Sequence, residues 1–82
     1  MRSDIEEFNT GWYGLTIGLR DSEIDELIGT LRELKKYKTH FHLRSKFEGE
    51  GGVGDIEIYY QNDEVPDNLT LESSCRPAQV KP

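Results

Sequence analysis

The sequence predicts an α+β fold, a two-layer sandwich in which a single helix lies on one face of a four-stranded, mainly antiparallel sheet. One segment, 21–36, has the apolar periodicity of an amphipathic helix. Several other segments alternate apolar and polar residues, as half-buried strands do. With 82 residues the chain is long enough for one modest core, so we expect one domain with the element order β-α-β-β-β.

The predicted helix presents one apolar stripe, formed by Ile24, Leu27, Ile28, Leu31 and Leu34. These positions follow the i, i+3, i+4, i+7 spacing and cover an arc of about 120°. Asp21 or Ser22 can cap the N-terminus of the helix. A single stripe of this width needs a sheet to pack on, and Leu31 lies in its middle. We therefore expect Leu31 to be central to the core.

Four segments are the predicted strands. In the first, 11–20, the side chains expected to face the helix are Tyr13, Leu15, Ile17 and Leu19. The segments 39–47 and 53–60 alternate in the same way, and 69–72 can form a short last strand. The helical connection favours parallel pairing of the first two strands through a right-handed crossover, and the other strands would pair antiparallel.

The glycine-rich stretch between the second and third predicted strands contains G-x-G-x-x-G, at Gly49, Gly51 and Gly54. A dinucleotide-binding loop has this motif after a strand and at the start of a helix. Here the motif precedes a strand and has the acidic neighbours Glu48 and Glu50, which would repel phosphate. We interpret it as a hairpin loop and expect no cofactor.

Composition sets the boundaries of the domain and the expected location of the protein. Residues 1–10 are an arm or a short edge strand, 11–72 form the single α+β domain, and 73–82 are a flexible tail. No apolar run reaches the about 18 residues of a membrane span. The N-terminal residues show no secretory signal, and the single cysteine, Cys75, can form no internal disulfide. We expect a cytoplasmic protein that binds no membrane.

The net charge of -6 is distributed unevenly. The stretch 32–46 holds six basic residues and one acidic residue, a charge of +5, so the rest of the chain carries -11. Nonspecific binding to nucleic acid needs a broad positive surface, which this distribution does not offer. Acidic surfaces favour basic protein partners. We therefore expect no nucleic-acid ligand and a partner that is another, more basic protein.

The sheet face away from the helix carries the residues with the most chemistry. Neighbouring strands oppose two groups of polar side chains, His40, His42, Arg44 and Lys46 against Asp55, Glu57 and Tyr59. A solvated face with charge-matched pairs is the simplest interpretation. His40-x-His42 with Asp55 or Glu57 has the donors of a metal site, but Arg44 and Lys46 would repel a cation. We expect no tight metal site.

This face is shallow, whereas catalysis by general acids and bases needs a pocket, so we expect no enzyme. We expect a non-catalytic binding surface for a partner protein, formed by Trp12, His40, His42, Asp55, Glu57 and Tyr59. Trp12 is either a partner anchor or a tryptophan packed over the sheet edge. Two alternatives stay open: a small metal-dependent enzyme using His40, His42 and Asp55, and a homodimeric structural or regulatory module that pairs its edge strands.

The run 15–60 carries a family resemblance. It has a strand with LTI, a helix with an acidic start, a strand with HFHL and then GDIEIYY. This order resembles the small α+β immunity proteins of bacterial polymorphic toxin systems, in particular the immunity protein thirty-two family, with its H-x-H strand followed by a D-I-x-[IV] strand. The glycine loop departs from that pattern. The resemblance implies a protein that binds and neutralises a cognate toxin without catalysis, and it transfers no toxin-contacting residue.

Overall fold

The computed structural model describes residues 1–73 and has one helix and four strands in that part of the chain. In chain order they are β1 (Arg2–Glu7), β2 (Tyr13–Gly18), α1 (Asp21–Tyr37), β3 (His40–Arg44) and β4 (Asp55–Tyr59). The predicted α+β class is confirmed, but the element order is β-β-α-β-β. Within residues 1–73, no helix has the length and apolar character needed to cross a membrane.

The strands form two separate antiparallel hairpins, β1-β2 and β3-β4, rather than the predicted single sheet. Of the two alternatives for residues 1–10, the structure has a strand. Its turn uses left-handed backbone at Asn9 (φ 60°) and Gly11 (φ 91°), and the Phe8 N–H donates to the Trp12 carbonyl over 3.1 Å. Because β1 pairs locally with β2, no described pairing joins β2 to β3 in the predicted parallel arrangement.

The segment 69–72 is not a strand, which corrects the fourth predicted strand. Leu69 and Leu71 are 86% and 93% exposed, so no sheet covers them. The physical reason is that so short a segment pairs only if a free strand edge lies within its reach, and sequence alternation does not report this. Of the predicted tail 73–82, all but the first residue lies outside the described residues, Cys75 included.

The helix spans nearly the predicted residues, but its N-cap is Arg20 rather than Asp21 or Ser22. The Arg20 carbonyl accepts the Ile24 N–H at 2.9 Å, and the Glu23 carboxylate accepts the Arg20 backbone N–H at 2.9 Å. A carboxylate at the third helical position thus replaces the side-chain cap. At the other end, Lys38 adopts left-handed backbone (φ 52°) and its N–H donates to the Leu34 carbonyl at 2.8 Å.

The described residues contain no buried side chain. Leu31 is 42% exposed, as are Ile24 at 42% and Ile28 at 43%, so the expectation that Leu31 is central to a core is wrong. The half-buried members of the stripe are Leu27 and Leu34. Because α1 packs against β3 and a two-stranded sheet is narrow, only one side of the stripe is covered.

The first hairpin leaves its apolar side chains largely uncovered. Tyr13, Leu15 and Ile17, predicted to face the helix, are 65%, 48% and 40% exposed, and only Leu19 of that set is half-buried. In the second hairpin, the four aliphatic and phenylalanine side chains that alternate with the polar ones are half-buried, namely Phe41, Leu43, Ile56 and Ile58. The second hairpin therefore directs its apolar face toward α1 and its polar face outward.

Candidate functional site

The register of the second hairpin gathers six polar side chains on one face. His40 is paired with Tyr59, His42 with Glu57, and Arg44 with Asp55. Paired residues project to the same side of a sheet, and residues two apart share that side. We call this surface the histidine face, and it consists of His40, His42, Arg44, Asp55, Glu57 and Tyr59.

Asp55 joins two of these side chains. Its carboxylate lies 3.0 and 3.1 Å from Nδ1 of His42, and its Oδ1 lies 3.3 Å from Nε of Arg44. The side chains of His42, Asp55 and Arg44 are 26%, 42% and 65% exposed, so this is a surface cluster. Asp55 is thus occupied by partners within its own hairpin, and much of its charge is offset.

His40 and Glu57 complete the face on the other side of His42. The His40 and His42 rings meet edge to face with their centroids 5.3 Å apart. One potential ligand atom each from His40, His42 and Glu57 lies within 4.8 Å of the other two. No residue in 1–73 forms an ion pair with Glu57. Of the two carboxylates that the sequence offered as a third donor, Asp55 and Glu57, the one grouped with both histidines is Glu57.

Trp12 stands apart from the other five predicted binding residues. It lies just before β2, in the first hairpin, whereas the other five share the histidine face. Trp12 is 76% exposed and Tyr59 is 59% exposed. The exposure of Trp12 contradicts the interpretation in which the tryptophan packs over the sheet edge. It leaves a large aromatic side chain available to a partner.

A groove of about 1160 Å³ separates the first hairpin from β3 and the glycine loop. Its apolar lining comes from both hairpins and the loop and includes Ile5, Ile17, Leu43, Phe47 and Ile56. This groove was not predicted, because it depends on how the two hairpins are placed relative to each other. The Phe47 ring lies over Gly54, where an added Cβ would be 3.0 Å from the ring.

An ion pair lies at the helix end of this groove. The ammonium group of Met1 donates to Oε2 of Glu23 at 2.6 Å. This hydrogen bond, followed by the one from the Arg20 backbone N–H, holds the pKa of the Glu23 carboxyl below its usual value of 4.5. The pair links the start of β1 to the first turn of α1.

Comparison of the chain with protein-family models, with curated proteins and with solved structures finds no match. The resemblance to immunity proteins therefore stays a prediction.

Proposed function

We propose that this protein is a non-catalytic module that binds another protein. The observation that carries the proposal is the lack of any buried side chain among residues 1–73 combined with large apolar side chains left exposed on β1, β2, α1 and β4. Burying apolar surface stabilises a fold or a complex by roughly 25 cal/mol per Å². A chain that leaves so much of this surface open gains that stabilisation from a partner.

The histidine face and Trp12 are the proposed contact surface. Interfaces are enriched in aromatic residues, and Trp12 and Tyr59 are both more than half exposed. Glu57 adds a carboxylate without an ion-pair partner in the described chain. Because Asp55 is already engaged by His42 and Arg44, it would orient those groups rather than act as an independent negative charge.

The partner is proposed to be more basic than this chain. The net charge of -6 is the sum of +5 in residues 32–46 and -11 in the rest of the chain, and opposite charge accelerates association and favours the correct partner. The family resemblance implies an inhibitor that binds and neutralises a toxin. Such an inhibitor has to associate with its toxin rapidly. We assign no catalytic residue.

A single four-stranded sheet with the helix on one face, built from the observed strands β1, β2, β3 and β4, belongs to this proposal as the bound state. Both hairpins line the groove, and Ile24, Ile28 and Leu31 of the helix stripe are still about 40% exposed. Alignment of the hairpins over α1 on binding would cover that stripe. Hydrogen exchange of the complex would then show new protection in β1 and in α1.

Affinity purification from the native cells at low salt tests the proposal. The double variant Asp55→Lys/Glu57→Lys reverses both charges on the histidine face and is expected to lose the captured partner. The matched control, Glu26→Lys/Glu33→Lys, makes the same charge change on α1 and should retain it. Because exposed charges are screened beyond about 10 Å at 0.1 M salt, the association rate should also fall as salt rises.

Two outcomes would contradict the proposal. Equal capture by both double variants would remove the histidine face as the contact surface. A stable dimer in light scattering, with no further protein bound, would favour the homodimeric alternative, in which edge strands pair. Trp12→Ala provides an uncharged check and should weaken capture without changing the salt dependence.

A further inference from the structure

We propose that His40, His42 and Glu57 form a binding site for a divalent transition-metal ion of the zinc class. This inference does not depend on the proposed partner. The three donors lie on one face of the second hairpin, and their ligand atoms lie within 4.8 Å of one another. Two imidazoles and one carboxylate are the ligand set of many zinc sites that keep a fourth position open.

The contact between His42 and Asp55 is an independent observation in favour of this site. A metal-binding histidine generally donates its other ring N–H to a carboxylate or a carbonyl, which fixes the tautomer and the ring orientation. Nδ1 of His42 lies 3.0 and 3.1 Å from the two Asp55 oxygens. With the proton at Nδ1, the lone pair of Nε2 is free to bind a metal ion. Asp55 is thus the positioning residue.

The structure also removes an objection raised by the sequence, that neighbouring cations would repel a metal ion. Arg44 lies against Asp55, with Nε 3.3 Å from Oδ1, so that its charge is offset by a carboxylate that is not one of the proposed ligands. Lys46 lies beyond the end of β3, outside the ladder that carries the histidine face, and lines the groove. Glu57 forms no ion pair within residues 1–73, so no cationic side chain competes with the ion for its carboxylate.

The donors need only a small rearrangement to bind an ion. Zinc bonds of about 2.0–2.1 Å in tetrahedral geometry place ligand atoms about 3.3 Å apart. His40 and Glu57 are exposed side chains with room to rotate. Their backbone is fixed by the β3-β4 ladder, in which Glu57 is directly opposite His42. The three donors are therefore brought together by the hairpin, and the fourth position faces solvent.

Titration of the untagged full chain with Zn²⁺ alone, followed by calorimetry, tests the site. Cys75→Ser is the reference background, because a thiol is itself a zinc ligand. We expect one ion per chain. Co²⁺ added to the same protein should give the visible d–d absorption of a low-coordinate site, and excess Zn²⁺ should abolish it.

Variants separate the ligands from the positioning residue. His40→Ala and Glu57→Gln should each weaken Zn²⁺ binding by at least about 10-fold, and Asp55→Asn by about 10- to 100-fold, as for other partners of metal-bound histidines. Glu33→Gln on α1 removes a carboxylate elsewhere and should leave the affinity unchanged. Circular dichroism of each variant verifies that the fold is retained.

Two results would overturn the inference. One is the lack of Zn²⁺ binding at concentrations up to about 1 mM, because a dissociation constant of that size corresponds to a binding free energy of only about 4 kcal/mol in magnitude. The other is binding that persists with unchanged affinity in His40→Ala and in Glu57→Gln, which would place the ion elsewhere on the chain. If His40→Ala proves unfolded, the milder change His40→Gln replaces it and should weaken Zn²⁺ binding in the same way.

Discussion

The Nδ1 atom of His42 lies 3.0 Å from Oδ1 of Asp55, and these two residues are diagonal neighbours across the β3-β4 ladder. Asp55 is directly opposite Arg44, which binds the same carboxylate oxygen at 3.3 Å. One aspartate therefore holds a histidine and an arginine that are two residues apart on the facing strand. These contacts fix the orientation of the His42 and Arg44 side chains on the histidine face.

A double-mutant cycle on His42→Ala and Asp55→Ala should give a small coupling energy, about 0.2–1 kcal/mol. The pair is partly exposed to solvent, and exposed ion pairs and hydrogen bonds contribute in this range. Urea denaturation of the four proteins measures it. A cycle on His40 and Asp55, which form no hydrogen bond or ion pair with each other, is the control and should show additivity. A coupling well above 1 kcal/mol would mean that the pair is more shielded than its exposure indicates.

The loss of stability on truncating a residue of the helix stripe should depend on how buried that residue is rather than on its position in the stripe. Leu34→Ala at a half-buried site should cost more than Leu31→Ala at a site that is 42% exposed. Both losses of stability should stay below the upper end of the range of about 2–5 kcal/mol that is typical for truncating a buried leucine to alanine. The free energy of unfolding from urea titrations measures both. If Leu31→Ala were the more damaging change, the stripe would be covered in solution by something other than β3.

The same glycine-to-alanine change should have opposite effects at two positions. At Gly14 an added Cβ would lie 2.8 Å from Cζ of Phe8, so Gly14→Ala must displace that ring and should lower stability. At Gly29, inside α1, an added Cβ meets nothing within 4 Å, so Gly29→Ala should raise stability by about 0.5–1 kcal/mol. Thermal melting of the two variants compares them. Adding Phe8→Ala to Gly14→Ala should relieve the clash.

Stability should depend on pH through Glu23. The Met1 ammonium lowers the pKa of this carboxyl in the folded chain below its usual 4.5. The folded state thus favours the ionised form, so the contribution is fully present above pH 4.5 and is lost as the pH falls through the lower, folded-state pKa. The difference in urea midpoint between the natural chain and Glu23→Gln should therefore shrink on acidification.

Glu33→Gln removes the same charge from α1 and supplies the reference curve for this titration. Blocking the amino group of Met1 should have the same effect as Glu23→Gln, because it removes the donor that causes the shift. A Glu23→Gln difference that stays constant from neutral to acidic pH would show that the ion pair does not form in solution.

Much of the candidate site was predictable because it depends on one local hairpin. The alternation of His40 and His42 with apolar residues, and of Asp55 and Glu57 with isoleucines, places these polar side chains on one face for any register that buries the apolar set. Alternation does not predict the diagonal contact between Asp55 and His42. Because of that contact, Glu57 and not Asp55 is the third potential metal donor. The contact depends on which residues of β3 and β4 lie opposite each other and on the side-chain rotamers.

The sequence by itself determined the α+β class, the helix and three of its strands, because these follow from the period of apolar residues over a short stretch of chain. Only the tertiary structure decided that residues 2–7 pair with β2, that the strands form two hairpins separated by a groove, and that the middle of the helix stripe stays exposed. The physical reason is that periodicity records which side of an element is apolar. It does not record which partner covers that side, because this depends on contacts between residues far apart in the chain.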